Sequence, residues 1–244
     1  APAVTALPAP THVTVQPLAA TRDALADTQR ADASAHATPE TAAVPAAAAG
    51  EILPRYRALY EKNPDLIGWL RIDGTDIDLP VVQTPGDNEY YLRRGFDRFY
   101  AVGGTLFLDE RCSVSAVAPT ANWLIYGHNM TSGAMFSNLV KYKQQAYYDQ
   151  HPYLYMLTPQ QSYKLHLFAG VIVDASGYIL DGNGQVAYSD CSVYQFQLTQ
   201  EFLQQMVNHS TFRPTTGVPS ADSHIVTLST CTYEFKDARF VLVA

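Results

Sequence analysis

The sequence is poor in cysteine, and this shortage excludes two classes of protein. Its three cysteines, Cys112, Cys191 and Cys231, stand in no metal-ligand spacing, and their odd number leaves at least one thiol free. The chain is therefore neither a disulfide scaffold nor a cysteine-based zinc protein. A bridge between Cys112 and Cys191 remains open, but the sequence favours two separate buried thiols.

Charge and long apolar runs are also scarce. Charged residues make up 16% of the chain, and the formal net charge is -7, with no basic cluster that could follow a phosphate backbone. Nucleic acid is therefore excluded as a partner. No apolar run reaches the roughly 18 residues that span a bilayer, and no signal peptide opens the chain. We expect any membrane anchor to lie upstream of Ala1.

The first 50 residues differ in composition from the rest. Residues 1–50 are rich in Ala, Pro and Thr and contain no aromatic residue, so they cannot bury enough surface to offset the entropy of ordering. They are predicted to form a disordered linker. Aromatic residues and hydrophobic periodicity begin after it, which predicts one folded domain over residues 51–244.

Short strands dominate this domain, with fewer helices between them. Period-two patterns predict eight strands, over residues 66–72, 77–83, 105–109, 122–127, 153–158, 163–175, 224–231 and 239–244. Helices are predicted over residues 52–63, 134–142 and 199–209, the last with Thr199 as its N-cap, and a helical turn over 88–94. Strands that do not alternate strictly with helices favour a mainly antiparallel barrel or sandwich with helical insertions.

The stretch TLSTCTYEFKDAR, residues 227–239, carries a candidate nucleophile. Strand alternation places Ser229 and Cys231 on one face, with Cys231 at the strand's end. If the next strand returns antiparallel, Arg239 lies beside Cys231. A guanidinium near a thiol favours the thiolate, which is the nucleophilic form.

His128 is the candidate acid and base. It follows the apolar strand NWLIYG and begins a loop rich in Asn, Thr, Ser and Gly, where scaffolds often present catalytic side chains. The other histidines lie in the linker, within predicted elements or at their borders. The residues alone also allow a simpler interpretation, in which Cys231 is a small buried side chain, His128 a turn residue and Arg239 a solvated cation.

At TLSTC the chain resembles the sortases, cell-surface transpeptidases of Gram-positive bacteria whose nucleophile sits in a TLxTC motif with an Arg on the following strand. NPDLIGWLRIDGTDIDLPVVQ, DNEYYLRRGFD, GGTLFLD and IYGHN resemble the class B branch in order and spacing, so the likeness covers essentially residues 53–244. The resemblance implies a closed β-barrel of about eight strands, with N-terminal helices and a helix in the loop before the cysteine strand.

The resemblance also implies roles for individual residues. Cys231 would attack the carbonyl that follows a threonine in a C-terminal sorting signal and form a thioacyl enzyme. His128 would act as general acid and then as general base, and Arg239 would hold the substrate backbone and the developing oxyanion. The positions that would bind substrate are Asn88, Leu92, Ser229, Thr230 and Tyr188. For Leu92, a plain core role remains open.

The expected partners follow from the same resemblance. They are a sorting-signal peptide, with an Asn-Pro or Pro-Pro start followed by x-Thr-Gly or x-Thr-Asn, and an amine of a peptidoglycan precursor or a pilin lysine. We expect neither a metal nor a cofactor. The protein is expected to be a monomer at the extracellular face of a Gram-positive cell membrane, held by an N-terminal anchor, with the linker as a spacer.

Other activities stay open at this point. One is a pilin-polymerising sortase, and another is a non-catalytic, sortase-like binding module. A third is an L,D-transpeptidase or a cysteine amidase that acts on wall peptides. L,D-transpeptidases carry Gly immediately before the cysteine and Arg two positions after it. Thr230 and Tyr233 occupy those places here, which counts against that family.

Overall fold

The structure is a computed structural model that describes residues 54–115 and 117–244. The linker predicted over residues 1–50 lies outside the described residues, so the proposed division into linker and domain stays a prediction. Within the described part, no helix has both the length and the apolar character needed to cross a membrane.

Eleven strands and three α-helices form the described part of the chain. The strands are β1 (Leu66–Arg71), β2 (Asp78–Val82), β3 (Leu106–Leu108), β4 (Asn122–Tyr126), β5 (Tyr153–Leu157), β6 (Ser162–His166), β7 (Ala169–Val173), β8 (Ile179–Leu180), β9 (Val186–Tyr188), β10 (Ile225–Cys231) and β11 (Arg239–Val243). The α-helices are α1 (Pro54–Lys62), α2 (Gln145–Gln150) and α3 (Gln200–Asn208), and 3-10 helices cover Tyr90–Arg93 and Ser137–Lys143. The mainly β fold with helical insertions is confirmed.

The strands form a single mixed sheet in the order β6-β5-β1-β2-β3-β4-β10-β11-β7-β8-β9. Most neighbours are antiparallel, but β2 pairs with β3, and β4 with β10, in parallel. The parallel pairing of β4 and β10 matters for function, because both strands then end at the same edge of the sheet. The strands β6 and β9 stand at the two ends of this order. Closure of the sheet into a barrel therefore stays a prediction.

The strand at residues 163–175 was predicted as one piece, and this was wrong. The chain changes partner in its middle: Leu167 N donates to Pro152 O, whereas Phe168 N donates to Val243 O. The first half, β6, therefore pairs with β5, and the second half, β7, pairs with β11. Together with the short hairpin of β8 and β9, missed within a Gly-rich stretch, this split accounts for the strands beyond the predicted eight.

The two faces of β10 and β11 pack against different cores. On one face, Val226, Leu228, Phe240 and Leu242 join the larger apolar cluster. On the other face, which we call the outer face, Ile225, Val241 and Val243 pack with β7 and with α3. The period-two alternation predicted for β10 is therefore confirmed, since each face has its own apolar partners.

Helix α3 covers the outer face. The hydroxyl of Thr199 accepts a hydrogen bond from Phe202 N at 3.1 Å, so the predicted N-cap is confirmed. Phe202, Leu203 and Met206 are fully buried against β7 and the neighbouring strands. The helix precedes β10 in the chain, as the sequence predicted.

Candidate active site

Cys231 and Arg239 are direct partners across the sheet. Cys231 is the last residue of β10, Arg239 is the first of β11, and the antiparallel register sets them opposite each other. Directly opposed residues project from the same face of a sheet. The predicted return of the strand is thus confirmed, and the thiol and the guanidinium emerge side by side on the outer face.

An open cavity lies at this edge of the sheet. It measures about 510 Å³ and is lined by Cys231, Arg239 and residues 232–237 of the loop that joins β10 to β11. Cys231 is partly exposed, whereas Thr227 and Ser229, on the same face of the strand, are buried. The outer face of β10 is therefore buried up to Ser229 and becomes accessible at Cys231, where a substrate can reach the thiol.

His128 approaches Cys231 from the neighbouring strand. Because β4 runs parallel to β10, with Tyr126 opposite Ser229, the chain leaves β4 beside the end of the cysteine strand. Gly127 N donates to Ser229 O at 3.2 Å, and the hydroxyl of Thr230 donates to Gly127 O at 2.7 Å. His128 is the next residue, so the backbone brings it to the edge that carries the thiol.

The side chain of Asn129 fastens the histidine loop to the cysteine. Its Nδ2 donates to the backbone carbonyl of Cys231 at 2.9 Å, a contact that spans 102 residues of sequence. This hydrogen bond fixes the separation between the loop and the strand end. Asn129 stands beside His128 in the YGHN motif, but no local pattern in the sequence predicts this contact.

The imidazole of His128 is held from a third element. Its Nε2 lies 2.9 Å from the carbonyl oxygen of Leu92, in the 3-10 helix Tyr90–Arg93. Leu92 was predicted to line the substrate groove, and its side chain is partly buried. Its backbone is thus part of the site, while a substrate contact of the side chain stays a prediction.

Arg239 is anchored to its own loop. Its Nη1 donates to Asp237 O at 3.0 Å and to Ala238 O at 3.1 Å. A guanidinium has five N–H donors, so these two contacts leave others to bind a substrate carbonyl. Asp237 has a positive φ of 61° at the turn that leads into β11.

Tyr194 is a residue of the site that the sequence did not indicate. Its hydroxyl lies 3.0 Å from the Ser229 hydroxyl, two positions before the candidate nucleophile on the same face. Burial raises the pKa of Tyr194, although the Ser229 hydrogen bond and the charge of Arg239 act in the opposite direction. Tyr194 is therefore a neutral phenol at physiological pH, and its ring lies 6.1 Å from that of Tyr126. It comes from an aperiodic segment, which carries no sequence signal.

The remaining predicted substrate residues lie in different settings. Ser229 and Thr230 are buried in β10. The Ser229 hydroxyl is hydrogen-bonded to Tyr194 and the Thr230 hydroxyl to Gly127, so both residues stabilise the strand that carries Cys231. The side-chain oxygen of Asn88 accepts a hydrogen bond from Glu110 N at 2.9 Å. These contacts are structural, and binding of substrate by the three residues stays a prediction.

Tyr188 lies in the short hairpin of β8 and β9. It is the last residue of β9, and three strands separate β9 from β10 in the sheet order. Its hydroxyl is paired with Cys191 Sγ at 3.6 Å, and this contact, with burial, raises the pKa of Tyr188 to about 12. Its proposed role in the groove gains no support from these contacts.

A polar cluster braces the cavity loop. Lys143 Nζ donates to the Thr232 hydroxyl at 2.6 Å and also pairs with Glu234, whose other oxygen accepts from that hydroxyl at 2.6 Å. Thr232 follows Cys231 directly and is buried. The start of the loop is therefore held in place immediately beside the thiol.

All three cysteines are free thiols in the structure. The open possibility of a Cys112–Cys191 bridge is thus settled in favour of separate thiols, as expected. Cys112 is buried as predicted, but Cys191 is only partly buried.

Comparisons with known proteins agree with this geometry. The family model for the sortase domain matches residues 70–244. Sortase B of Listeria monocytogenes is 30% identical over 195 residues, which cover 79% of this chain and 74% of that protein. The structure of sortase B from B. anthracis in complex with AAEK1 is 29% identical in sequence and gives a TM-score of 0.65. The match covers 82% of this chain and 87% of the B. anthracis chain.

The fold is shared with a further solved structure. A Staphylococcus aureus sortase B–substrate complex gives a TM-score of 0.67 at 23% identity, over 92% of this chain and 90% of that one. The family match covers the cysteine strand, the histidine loop and the arginine strand together. The chain belongs to the sortase family, and within it to class B, a branch of cysteine transpeptidases.

Proposed function

We propose that this protein cleaves a C-terminal sorting signal after its threonine and joins the resulting carbonyl to an amine of the cell wall. The observation that carries the proposal is the pairing of Cys231 with Arg239 at an accessible edge of the sheet, beside a cavity of about 510 Å³. A thiol that only filled space would not need a guanidinium opposite it and an open groove in front of it.

The first half of the reaction forms a thioester. His128 takes the proton of the Cys231 thiol, and the sulfur attacks the carbonyl carbon of the threonine. As the tetrahedral intermediate collapses, the carbon–nitrogen bond breaks and His128 gives its proton to the leaving amine. The threonyl group is then held on Sγ, and the C-terminal part of the signal departs.

The second half reverses these roles. The incoming amine attacks the thioester carbonyl, His128 accepts a proton from the amine, and the carbon–sulfur bond breaks. The proton returns to the sulfur, so the enzyme is regenerated and the product contains a new amide bond. No oxidant and no external energy source are needed, because one amide is exchanged for another.

Arg239 stabilises the intermediates of both halves. Its guanidinium stands beside the sulfur and donates to the substrate carbonyl, where negative charge develops. The two hydrogen bonds to Asp237 O and Ala238 O orient its plane before the substrate arrives. Preorganised donors of this kind need no rearrangement at the moment of reaction.

The acceptor and the location belong to the same proposal. We assign the acceptor amine to a peptidoglycan precursor, with a pilin lysine as the alternative, and the enzyme to the outer face of a Gram-positive membrane, where it acts as a monomer. The resemblance to class B sortases supports these assignments. The low cysteine content suits an exposed enzyme that must keep one thiol reduced.

The decisive experiment combines peptide cleavage with mass spectrometry. The protein is incubated with fluorogenic sorting peptides that contain x-Thr-Gly or x-Thr-Asn, with and without candidate amines. We expect an acyl adduct on Cys231, an amide product when amine is present, and a rate loss of about a thousandfold or more in both Cys231→Ala and His128→Ala.

Cys191→Ala is the matched control, since it removes another free thiol that is partly exposed. It should cleave the peptides at the wild-type rate. Turnover by Cys231→Ala near that of the control, or an adduct on Cys191, would overturn the assignment of the nucleophile.

A further inference from the structure

The contact between His128 and Leu92 determines which nitrogen of the imidazole carries a proton. The carbonyl oxygen of Leu92 can only accept, and it lies 2.9 Å from Nε2 of His128. Nε2 therefore carries the hydrogen. A neutral imidazole has a single N–H, so its Nδ1 keeps an unshared electron pair.

The element that supplies this carbonyl is firmly anchored. Tyr91, beside Leu92, is 1% exposed, and its hydroxyl donates to Asp65 Oδ2 at 2.7 Å and accepts from Asn63 Nδ2 at 2.8 Å. The backbone of the turn is bonded as well, since Thr105 N donates to Tyr91 O at 3.1 Å. The Leu92 carbonyl is thus a fixed acceptor, and the imidazole adapts to it.

Gly104 makes the position of this carbonyl possible. It has a positive φ of 60°, and a Cβ at this residue would stand 2.5 Å from Tyr91 O and 2.6 Å from Leu92 O. Both distances are far below van der Waals contact, and both neighbours are backbone atoms that cannot swing aside. Any side chain at position 104 would therefore displace the oxygen that holds His128.

We infer that Gly104 and the Leu92 carbonyl are positioning groups that keep His128 in the Nε2–H tautomer, so that Nδ1 is the nitrogen that exchanges protons with Cys231 and with the amines. The inference rests on the proposed function, in which His128 is the acid and base. It adds which atom performs the transfer and which part of the chain selects it. A fixed acceptor on one ring nitrogen determines which of the two nitrogens carries the proton.

The first test needs only the wild-type enzyme. Side-chain ¹⁵N spectra, with the His128 signals identified by their loss in His128→Ala, report which nitrogen is protonated when the ring is neutral. We expect protonated Nε2 and unprotonated Nδ1. A neutral ring that carries its proton on Nδ1 would overturn the inference.

The second test moves the carbonyl. Gly104→Ala should give a mixture of both tautomers and lower kcat about tenfold, with KM changed less than about twofold, since the substrate groove stays in place. Gly86→Ala is the matched control, because Gly86 has a similar φ of 82° but nothing within 4 Å of the added Cβ. It carries the same backbone strain without the contact.

The third test covers the case in which Gly104→Ala fails to fold. Replacing His128 by Nδ1-methylhistidine blocks Nδ1 and leaves the unshared electron pair of the neutral ring on Nε2, which is the opposite of the inferred arrangement. We expect loss of both peptide cleavage and acyl-enzyme formation. Wild-type rates in this variant would show that Nδ1 does not carry the proton.

The His128→Ala and Gly104→Ala variants together distinguish a failure of the positioning role from a failure of the proposed function. Full activity of His128→Ala would refute the proposed acid and base altogether. An inactive His128→Ala, combined with a Gly104→Ala variant that matches Gly86→Ala in tautomer and kcat, would refute the positioning role alone.

Discussion

Cys112 and Cys231 are residues of the same type, but their surroundings in the fold differ. Cys112 is buried beside β4, where its thiol donates to Asn122 O at 3.3 Å and accepts from Leu124 N at 3.4 Å. Burial raises the pKa of Cys112 to about 11. Cys231 ends its strand beside a cavity and a guanidinium. Environment, not residue type, thus separates a structural thiol from the proposed nucleophile.

The largest expected difference between the two regions is chemical. In native protein at pH 8, iodoacetamide should modify Cys231 at least about a thousandfold faster than Cys112. A thiol with a pKa near 11 is only about 0.1% thiolate at that pH, and burial slows its reaction further. Peptide mapping by mass spectrometry measures both rates in one sample.

The pH dependence of labelling and its response to unfolding provide two further tests. Because the pKa of Cys112 is raised, its labelling should increase about tenfold per pH unit up to pH 11, as long as the fold persists. Unfolding in guanidinium chloride should remove most of the difference. Equal labelling of Cys112 and Cys231 in native protein would show that the two environments do not differ as described.

Sequence reasoning succeeded where local periodicity and register decide the outcome. The alternation of β10 and the short connection to β11 were enough to set Cys231 opposite Arg239. The N-cap of α3 was also predictable, because the hydroxyl of Thr199 needs only a neighbouring turn of its own helix.

It failed where distant segments meet. The hydrogen bonds of Asn129 to Cys231 and of Tyr194 to Ser229 span 102 and 35 residues, and nothing local requires them. The division of residues 163–175 into β6 and β7 depends on a change of strand partner, which hydrophobic periodicity cannot reveal.

The second prediction concerns the geometry of charge around Cys231. Arg239→Lys keeps a positive charge but loses the planar set of donors, two of which contact Asp237 O and Ala238 O. We expect kcat/KM for a sorting peptide to fall about a hundredfold, because a flexible ammonium cannot hold the oxyanion in one orientation.

Arg213→Lys is its control, since Arg213 is exposed on the surface and assigned no part in the site. This variant should keep the wild-type kcat/KM. If Arg239→Lys matched it, positive charge alone would suffice beside Cys231, and directed hydrogen bonds would not be what distinguishes its surroundings from those of Cys112.

The smallest expected effect is on stability and belongs to the other thiol. Cys112→Ala removes a buried sulfur with two backbone contacts, so the free energy of unfolding should fall by about 1 to 2 kcal/mol. Cys231→Ala, at a partly exposed strand end, should lower it by less than about 0.5 kcal/mol. Urea unfolding followed by fluorescence measures both.

Activity should change in the opposite order. Cys112 contacts the beginning of β4, whereas His128 follows the far end of that strand, so the folded Cys112→Ala protein should retain kcat within about twofold of wild type. A large loss of kcat in Cys112→Ala would mean that the packing around Asn122 and Leu124 controls the position of the histidine loop. A large loss of stability in Cys231→Ala would mean that the reactive thiol also holds the sheet edge together, and the two regions would then no longer divide chemistry from packing.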